Sequence, residues 1–421
     1  MDDSLIDDDS LSLSRKSRLP GKGFFYPDSL DEEYAEERTR EAVEGAEAVI
    51  VADADADGLG AVALIREARD AALAVAPFET ELTARVRDDG AETGADVSVD
   101  VDGEDAADPA EDGENEARAE SPVALVAASP HSLGEALERV AEHLEPDADV
   151  YVCDLCPDSV ETVAASLESV ASRAGAVRWF DHHQWDEDVA AAVRERGVDL
   201  VVGDSDEECT TDVTLRSLDY DFPERFAELA AVTRDHDLWL NEDPRSADLA
   251  DYAYWSSPEE YVAVVGAYGA DLPEAATEYV EYRRVEKRAL VDRAVDRAEF
   301  TQVGPWTVGV TYGRCSQNEV ADALREQGAD ASVVVKPAGS ASLRGSESFE
   351  RCHEVAALVN GGGHPKAAGC KPDIYDDMLD YAHHWTTEGA TTKRVILAAF
   401  ERVAEAAGAG DADEEGIDTE R

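Results

Sequence analysis

Val49–Gly60 reads VIVADADADGLG, and no other stretch restricts the fold as tightly. The apolar run Val49–Ala52 has the length and character of a buried strand. Three aspartates follow at alternate positions, Asp53, Asp55 and Asp57, then Gly58 and Gly60. Ala61, Leu64, Ile65 and Ala68 then repeat at helical spacing. Carboxylates in a tight glycine turn between a strand and a helix sit where open α/β sheets bind ligands. Three carboxylates packed there repel one another unless a cation shares the site. Hard divalent cations take oxygen ligands, so a metal centre answers the repulsion. An acidic, solvated turn in an acidic chain is the alternative, and the rest of the sequence has to decide.

The chain has 421 residues, enough for two domains, and a hydrophobic fraction of 43% supplies real cores. Its formal net charge is −59, spread along the whole chain, with Arg far outnumbering Lys. Such a surface suits high salt, where self-repulsion is screened, and points to a halophile. The periodic apolar segments argue against a disordered acidic protein. A nucleic acid would be repelled at low salt, so such a substrate needs local cations. Of the six cysteines only Cys153 and Cys156 form a CxxC, and no second pair completes a zinc site. Reduced, cytoplasmic thiols are expected. The start, MDDSLIDDD, lacks the basic and apolar regions of a signal peptide, and no stretch has the length of a membrane span.

The fold class expected is α/β: a doubly wound parallel sheet followed by a smaller α/β domain, joined by a helical connector. Residues 1–45 are an arm and a charged helix. The arm carries a basic island (Arg15, Lys16, Arg18, Lys22) that reads as a neutraliser of an acidic surface. Residues 46–256 form the first domain, with an acidic insertion at 88–120 that is nearly free of aromatics and reads as disordered or a long surface loop. Just before it, ELTARVRDD reads as a short strand carrying Arg85 and Arg87. Strands at Val123–Ala128, Asp149–Asp154, Val177–Phe180 and Val198–Val202 alternate with helices, the pattern of a parallel sheet. Residues 257–300 are the connector, 301–406 the second domain, and 407–421 an acidic tail. The second domain holds a strand at Trp306–Thr311, a helix at Asn318–Gln327, a strand at Ala331–Lys336, the stretch SASLRGS, and a glycine loop at Gly361–Gly363.

Chemistry gathers at strand ends. The first strand ends in Asp53, Asp55 and Asp57, a later one in Asp154, the next in Asp181, His182 and His183. Asp235 and Asp237 follow a helix in TRDHDLW. In a parallel sheet the strand ends share one edge, so residues distant in sequence converge there. Several aspartates and a histidine make a ligand set for a pair of Mn²⁺ ions. Two such ions suit in-line displacement at phosphorus. Singly, each residue has a plain structural reading, as a helix cap or a packed histidine. Jointly, chance placement of all of them is the weaker account.

The order DxDxDG, strand-end Asp, DHH, further Asp resembles the DHH phosphoesterase superfamily, with FDHHQWD supplying the triplet. The second domain resembles its DHHA1 partner in SLRGS at 342–346 and NGGGHPKAAG at 360–369. The likeness covers residues 46–370 apart from the insertion. It implies that Asp53, Asp55, Asp57, Asp154, His182 and Asp235 hold two Mn²⁺ ions, with Mg²⁺ as the substitute and Asp154 as the bridge. Asp237 stands close behind Asp235 as the last ligand. His183 would act on the scissile phosphate as acid or electrophile, and Asp181 is the other catalytic candidate. The usual residue at the position of Asp53 is His in this family. An oxygen there keeps a ligand but adds negative charge.

In the second domain successive glycines permit close approach of backbone to ligand, and their N–H groups can form an anion nest. Arg344, His364 and Lys366 add cationic donors, and Arg344 can grip a phosphate with paired hydrogen bonds. Ser342, Gly361, Gly362 and Gly363 complete the substrate-binding set, and Asn360 and Ser342 are candidates for a base or sugar. The resemblance implies a Mn²⁺-dependent hydrolase of phosphodiester bonds in single-stranded or short nucleic acid, like RecJ-like exonucleases and nano-RNases. Alternatives are a 3′-phosphoadenosine 5′-phosphate phosphatase, a cyclic-dinucleotide phosphodiesterase, or a non-catalytic subunit of a replication complex. Expected partners are the oligonucleotide, a second copy in a homodimer, and replication or repair proteins, with no membrane.

Overall fold

In a computed structural model of the chain, the residues described are 28–89, 121–130, 132–157, 159–374 and 378–415. They fall into two units that part between Arg283 and Arg284, within the helix Glu274–Asp296. The basic island, the insertion from residue 90 onward and the last residues of the tail lie outside the described residues.

The first unit is built on five strands: β1 (Ala48–Ala52), β2 (Val123–Ala127), β3 (Asp149–Cys153), β4 (Val177–Asp181) and β5 (Val198–Val202). Their order is β2-β1-β3-β4-β5, and every neighbouring pair is parallel. β1 is buried at every position, as its unbroken apolar sequence requires. Its side chains alternate between two cores. Ala48, Ile50 and Ala52 join Tyr151, Cys153 and Phe180 under the helices Ala56–Ala68, Glu224–Asp237 and Pro258–Tyr268. Val49 and Val51 join Val150, Val152 and Trp179 under the helices Leu133–His143, Ala164–Arg173 and Glu187–Glu195. This is a doubly wound sheet. The chain leaves β1 for β2 on one side and returns to β3 on the other, so the topological switch lies between β1 and β3. Ala52 stands beside Cys153 there, and the Asp53 amide donates to the Cys153 carbonyl at 3.3 Å. Open α/β sheets bind ligands outside the carboxyl ends of strands at such a switch.

One expectation fails in this unit. ELTARVRDD lies not in a strand but in the helix Ala76–Asp89. Leu82 is fully buried, and Val86, four residues on, packs against the same core, so the apolar positions follow a helical face. Arg85 binds Glu81 one turn back and the fully buried Glu260 at 2.8 Å. The helices Glu187–Glu195 and Pro244–Trp255 each begin behind an aspartate cap, Asp186 and Asp243.

The second unit holds β6 (Glu299–Val303), β7 (Trp306–Tyr312), β8 (Ala331–Val335), β9 (Ala341–Gly345), β10 (Gly361–Gly363) and β11 (Ala367–Cys370), in the order β10-β11-β9-β8-β7-β6. Only β7 and β8 run parallel; the other pairs are antiparallel. Ala331, Val333 and Val335 face a core completed by Ile396 and Phe400, whereas Val334 faces Val320 and Leu324 of the helix Gln317–Glu326. The expected glycine loop is strand β10. Gly361 and Gly363 pair so closely with β11 that a Cβ would stand 2.1 Å from the Gly369 carbonyl and 2.6 Å from that of Ala367. The expected acidic tail is helical as far as Glu415, continuing the helix that begins at Ala390. Among the described residues, no helix is long and apolar enough to cross a membrane.

Candidate metal centre

The turn after β1 is shaped by its own aspartates. Asp55 is exposed and caps the helix Ala56–Ala68, its Oδ1 accepting from the Asp57 and Gly58 amides at 3.0 Å each. Asp53 folds back to accept from the Ala54 amide at 2.7 Å. The turn closes over Gly58, where a Cβ would stand 2.4 Å from the Asp53 carbonyl oxygen. Asp57 is thereby turned inward and is only 2% exposed. Its two oxygens accept from the amides of Thr210 at 2.6 Å and Thr211 at 2.8 Å, the first residues of the helix Thr210–Ser217. A helix N-terminus is where backbone N–H groups and the dipole favour an anion. The Thr211 hydroxyl also donates to the Asp57 carbonyl at 2.9 Å. Gly60 is what admits that threonine, since a Cβ there would lie 2.5 Å from Thr211 Oγ1.

Asp154 leaves β3 with φ +60°, in the left-handed region that a non-glycine residue enters at a cost. It is 3% exposed, and Oδ1 accepts from the Thr210 hydroxyl at 2.9 Å. One helix start thus holds both Asp57 and Asp154. Read from sequence, Thr210 and Thr211 have no more than a capping or supporting part, because nothing in TTDV announces a carboxylate 153 residues upstream.

β4 ends in Asp181, which is fully buried and fully engaged. Oδ1 accepts from the His182 amide at 2.9 Å and from His183 Nδ1 at 2.7 Å; Oδ2 accepts from Trp185 Nε1 at 2.6 Å. His183 leaves 41% of its side chain exposed, so Asp181 aims an accessible imidazole. His182 points Nε2 among three carboxylates, 3.2 Å from Asp237 Oδ2, 3.8 Å from Asp154 Oδ1 and 3.9 Å from Asp57 Oδ2. The two metal-competent groupings here are Asp57, His182 and Asp237, and Asp154, His182 and His183.

Asp235 and Asp237 part company. Asp235 Oδ1 accepts from the Glu242 amide at 2.9 Å and Oδ2 from the Asp243 amide at 3.2 Å. Burial alone would raise its pKa, but those amides and the Ser246 hydroxyl overcome it and hold the carboxyl below its ordinary value. Asp235 fastens a turn, and Asp237 is the one brought to His182.

The electrostatics are those of a site short of positive charge. Burial, then the charges of Asp57, Asp55, Asp181 and Asp53, drives Asp154 well above the usual carboxylate range. Burial also raises Asp57, against the neighbouring His182 and the Thr211 amide. Burial with Asp57 and Asp55 pushes Asp237 up to about 8. Burial pulls the His183 imidazole down, but its bond to Asp181 and the charges of Asp181, Asp237 and Asp57 outweigh that and set it at about 9. Among the described residues, the buried His182 Nδ1 and Asp237 Oδ2 have no hydrogen-bond partner. Crowded oxygen donors, one imidazole and orphaned polar atoms fit divalent cations such as Mn²⁺ or Mg²⁺.

In the second unit Ser342 and Arg344 project from one face of β9, opposite Ala341 and Leu343 of the core. Ser342 Oγ donates to Gln317 Oε1 at 2.6 Å, and Arg344 Nε to Asn318 Oδ1 at 2.8 Å. Burial lowers the Arg344 pKa. Ser342, Gly369 and Gly362 stand in register across three strands. Among the described residues a Cβ at Gly362 would meet nothing within 4 Å, so the two glycines leave that strip bare of side chains. Gly369, Gln317 and Asn318 were not singled out in the sequence; the i, i+2 spacing of Ser342 and Arg344 was the available signal. Lys366 is paired with Glu347 at 2.5 Å and Glu350 at 3.2 Å, and His364 is exposed, its amide donating to the Ala367 carbonyl at 2.7 Å.

No family model matches the sequence, and no curated protein matches it. Among solved structures the chain is similar to RecJ in complex with Mn²⁺ from Thermus thermophilus, with 16% identity, 91% of this chain and 55% of that chain covered, and a TM-score of 0.48. It is also similar to exonuclease RecJ bound to manganese, with 14% identity, 90% and 96% covered, and a TM-score of 0.46. A third neighbour is a DHH domain from a protein described as belonging to a family of ribosomal proteins, with 13% identity, 91% and 97% covered, and a TM-score of 0.46.

Proposed function

We propose that this chain is a divalent-metal-dependent phosphoesterase of the DHH/DHHA1 kind, hydrolysing phosphodiester bonds in single-stranded or short nucleic acid. The observation that carries the reading is the meeting of Asp57, Asp154, His182 and Asp237 at the switch point of a parallel sheet, from four separate elements. Asp57, Asp154, His182 and Asp237 would hold two Mn²⁺ or Mg²⁺ ions, with Asp53 and Asp55 on the adjoining turn. Bound there, such ions supply Lewis-acid charge to a phosphoryl oxygen and acidify a water. Asp181 fixes His183 through Nδ1 and leaves its imidazole accessible, where it would meet a phosphate or a leaving oxygen. Thr210 and Thr211 keep Asp57 and Asp154 from moving apart. Within the second unit, Arg344 and the bare glycine strip would offer a cation and open backbone to an anionic ligand.

The reading is tested with metal-stripped protein in high KCl, with and without Mn²⁺. Labelled dinucleotides, longer single-stranded DNA and RNA, and 3′-phosphoadenosine 5′-phosphate are compared for wild type and Asp181→Ala. Mn²⁺-dependent cleavage that falls in the variant supports it. Cleavage of long strands to mononucleotides marks an exonuclease, and turnover of dimers alone a nano-RNase. No Mn²⁺-dependent turnover of any of these, or an undiminished rate in Asp181→Ala, rejects it.

A further inference from the structure

Trp239 lies two residues beyond Asp237 and is 55% exposed. Its backbone has φ +58°, in the left-handed region that large side chains avoid. An exposed indole on such backbone is unfavourable on both counts. Yet the turn that presents it is firmly built. The Trp239 amide donates to the His236 carbonyl at 3.0 Å, and the Leu240 and Asn241 amides to the Asp235 carbonyl at 2.9 and 3.2 Å. Asn241 Nδ2 donates to the Trp239 carbonyl at 3.1 Å. The Asp235 carboxylate holds the Glu242 and Asp243 amides. The His236 ring stacks on the indole, centroids 6.0 Å apart and planes 30° apart. A large aromatic face is thus held toward solvent, with its Cα no more than about 7 Å from that of Asp237.

We infer that Trp239 is a base-stacking platform: the indole takes the nucleobase next to the phosphate held at the aspartate–histidine cluster, and so makes the site select nucleotides over other phosphoesters. The inference rests on the function proposed above and adds the group that reads the base. Stacking on an aromatic face tolerates any base, because every base has a π-face. In so acidic a chain it also gains affinity for an anionic ligand without needing a cation. The Asp235 turn is then the positioning element for both Asp237 and Trp239.

The test is equilibrium binding of adenosine 5′-monophosphate and ribose 5-phosphate in Mn²⁺, with wild type, Trp239→Phe and Trp239→Ala, each checked for a native melting transition. Dinucleotide hydrolysis is measured on the same preparations. The expected result is a preference for the nucleotide of roughly 5- to 100-fold in wild type, largely retained in Trp239→Phe and collapsed in Trp239→Ala. No preference in wild type, or an undiminished one in Trp239→Ala, overturns the inference. A change from dimer to monomer in Trp239→Ala with the base preference intact also overturns it, and assigns the indole to a subunit contact. Base-selective binding without hydrolysis would reject the proposed reaction and leave the platform standing; hydrolysis without base preference would do the reverse.

Discussion

His182 Nε2 lies 3.2 Å from Asp237 Oδ2, although one comes from the end of β4 and the other from the last turn of the helix Glu224–Asp237. Asp235, two residues earlier, spends both oxygens on loop amides. The two aspartates should therefore separate in experiment. Asp237→Asn should lower Mn²⁺-dependent turnover by roughly 100-fold or more, with little loss of melting temperature. Asp235→Asn should destabilise the protein by about 1–3 kcal/mol, because the Glu242 and Asp243 amides lose a charged acceptor. Thermal melts and activity measured side by side distinguish them, and the reverse pattern would make Asp235 the ligand.

Metal should stabilise this protein more than a typical surface ion does. The cluster carries carboxylates whose pKa values are raised first by burial and then by neighbouring carboxylates, and a cation offsets both. At Mn²⁺ near 100 times its dissociation constant the gain should be about 2.7 kcal/mol, and a chelator should reverse it. Thr210→Val removes the hydroxyl that holds Asp154. It should weaken Mn²⁺ binding by roughly 10- to 100-fold, read as a shift in the melting-temperature titration. An unchanged titration would remove the threonine from the account.

Gly60→Ala offers a test by sign. In an ordinary helix interior alanine is favoured over glycine by about 1 kcal/mol. Here the added Cβ would stand 2.5 Å from Thr211 Oγ1, the atom that donates to the Asp57 carbonyl. The variant should be less stable by roughly 1–3 kcal/mol, with a weaker Mn²⁺ midpoint because the Thr210–Ser217 helix start is displaced. A gain in stability would mean the helix start yields freely.

The second unit should carry its own acid sensitivity. His384 is 3% exposed, with Nε2 donating to the Lys336 carbonyl at 3.0 Å, and burial lowers its pKa below the ordinary 6.5. Between the lowered value and 6.5 the unfolded chain binds a proton that the folded chain does not. Stability is therefore full above 6.5 and falls as pH drops through the folded pKa. Between pH 7 and pH 5 the wild-type melting temperature should fall relative to that of His384→Gln. Equal slopes would show the ring is protonated without cost.

Much of this architecture was readable in the chain because its signals are local. The unbroken apolar strands, the DADADG turn and the DHH triplet each declare a strand end, and strand ends of a parallel sheet meet. The sequence reading preferred Asp235 to Asp237, and the opposite placement depends on amides at Glu242 and Asp243 folding back on the Asp235 carboxylate. The part of Thr210 was hidden for the same reason: its partners are 153 residues away at Asp57 and 56 away at Asp154. ELTARVRDD misled because its short apolar pattern fits a strand or a helix, and only packing of Leu82 and Val86 decides. The three glycines read as a loop because glycine is poor in strands generally. Here close approach of β10 to β11 makes glycine the residue that fits at 361 and 363.

The most direct measurement is an anomalous difference map from a crystal soaked in Mn²⁺. The account predicts two peaks, roughly 3.5–4 Å apart, among Asp57, Asp154, His182 and Asp237, both absent after chelation. No peak among these residues, or a peak bound by Asp235 with Asp237 turned away, would contradict it.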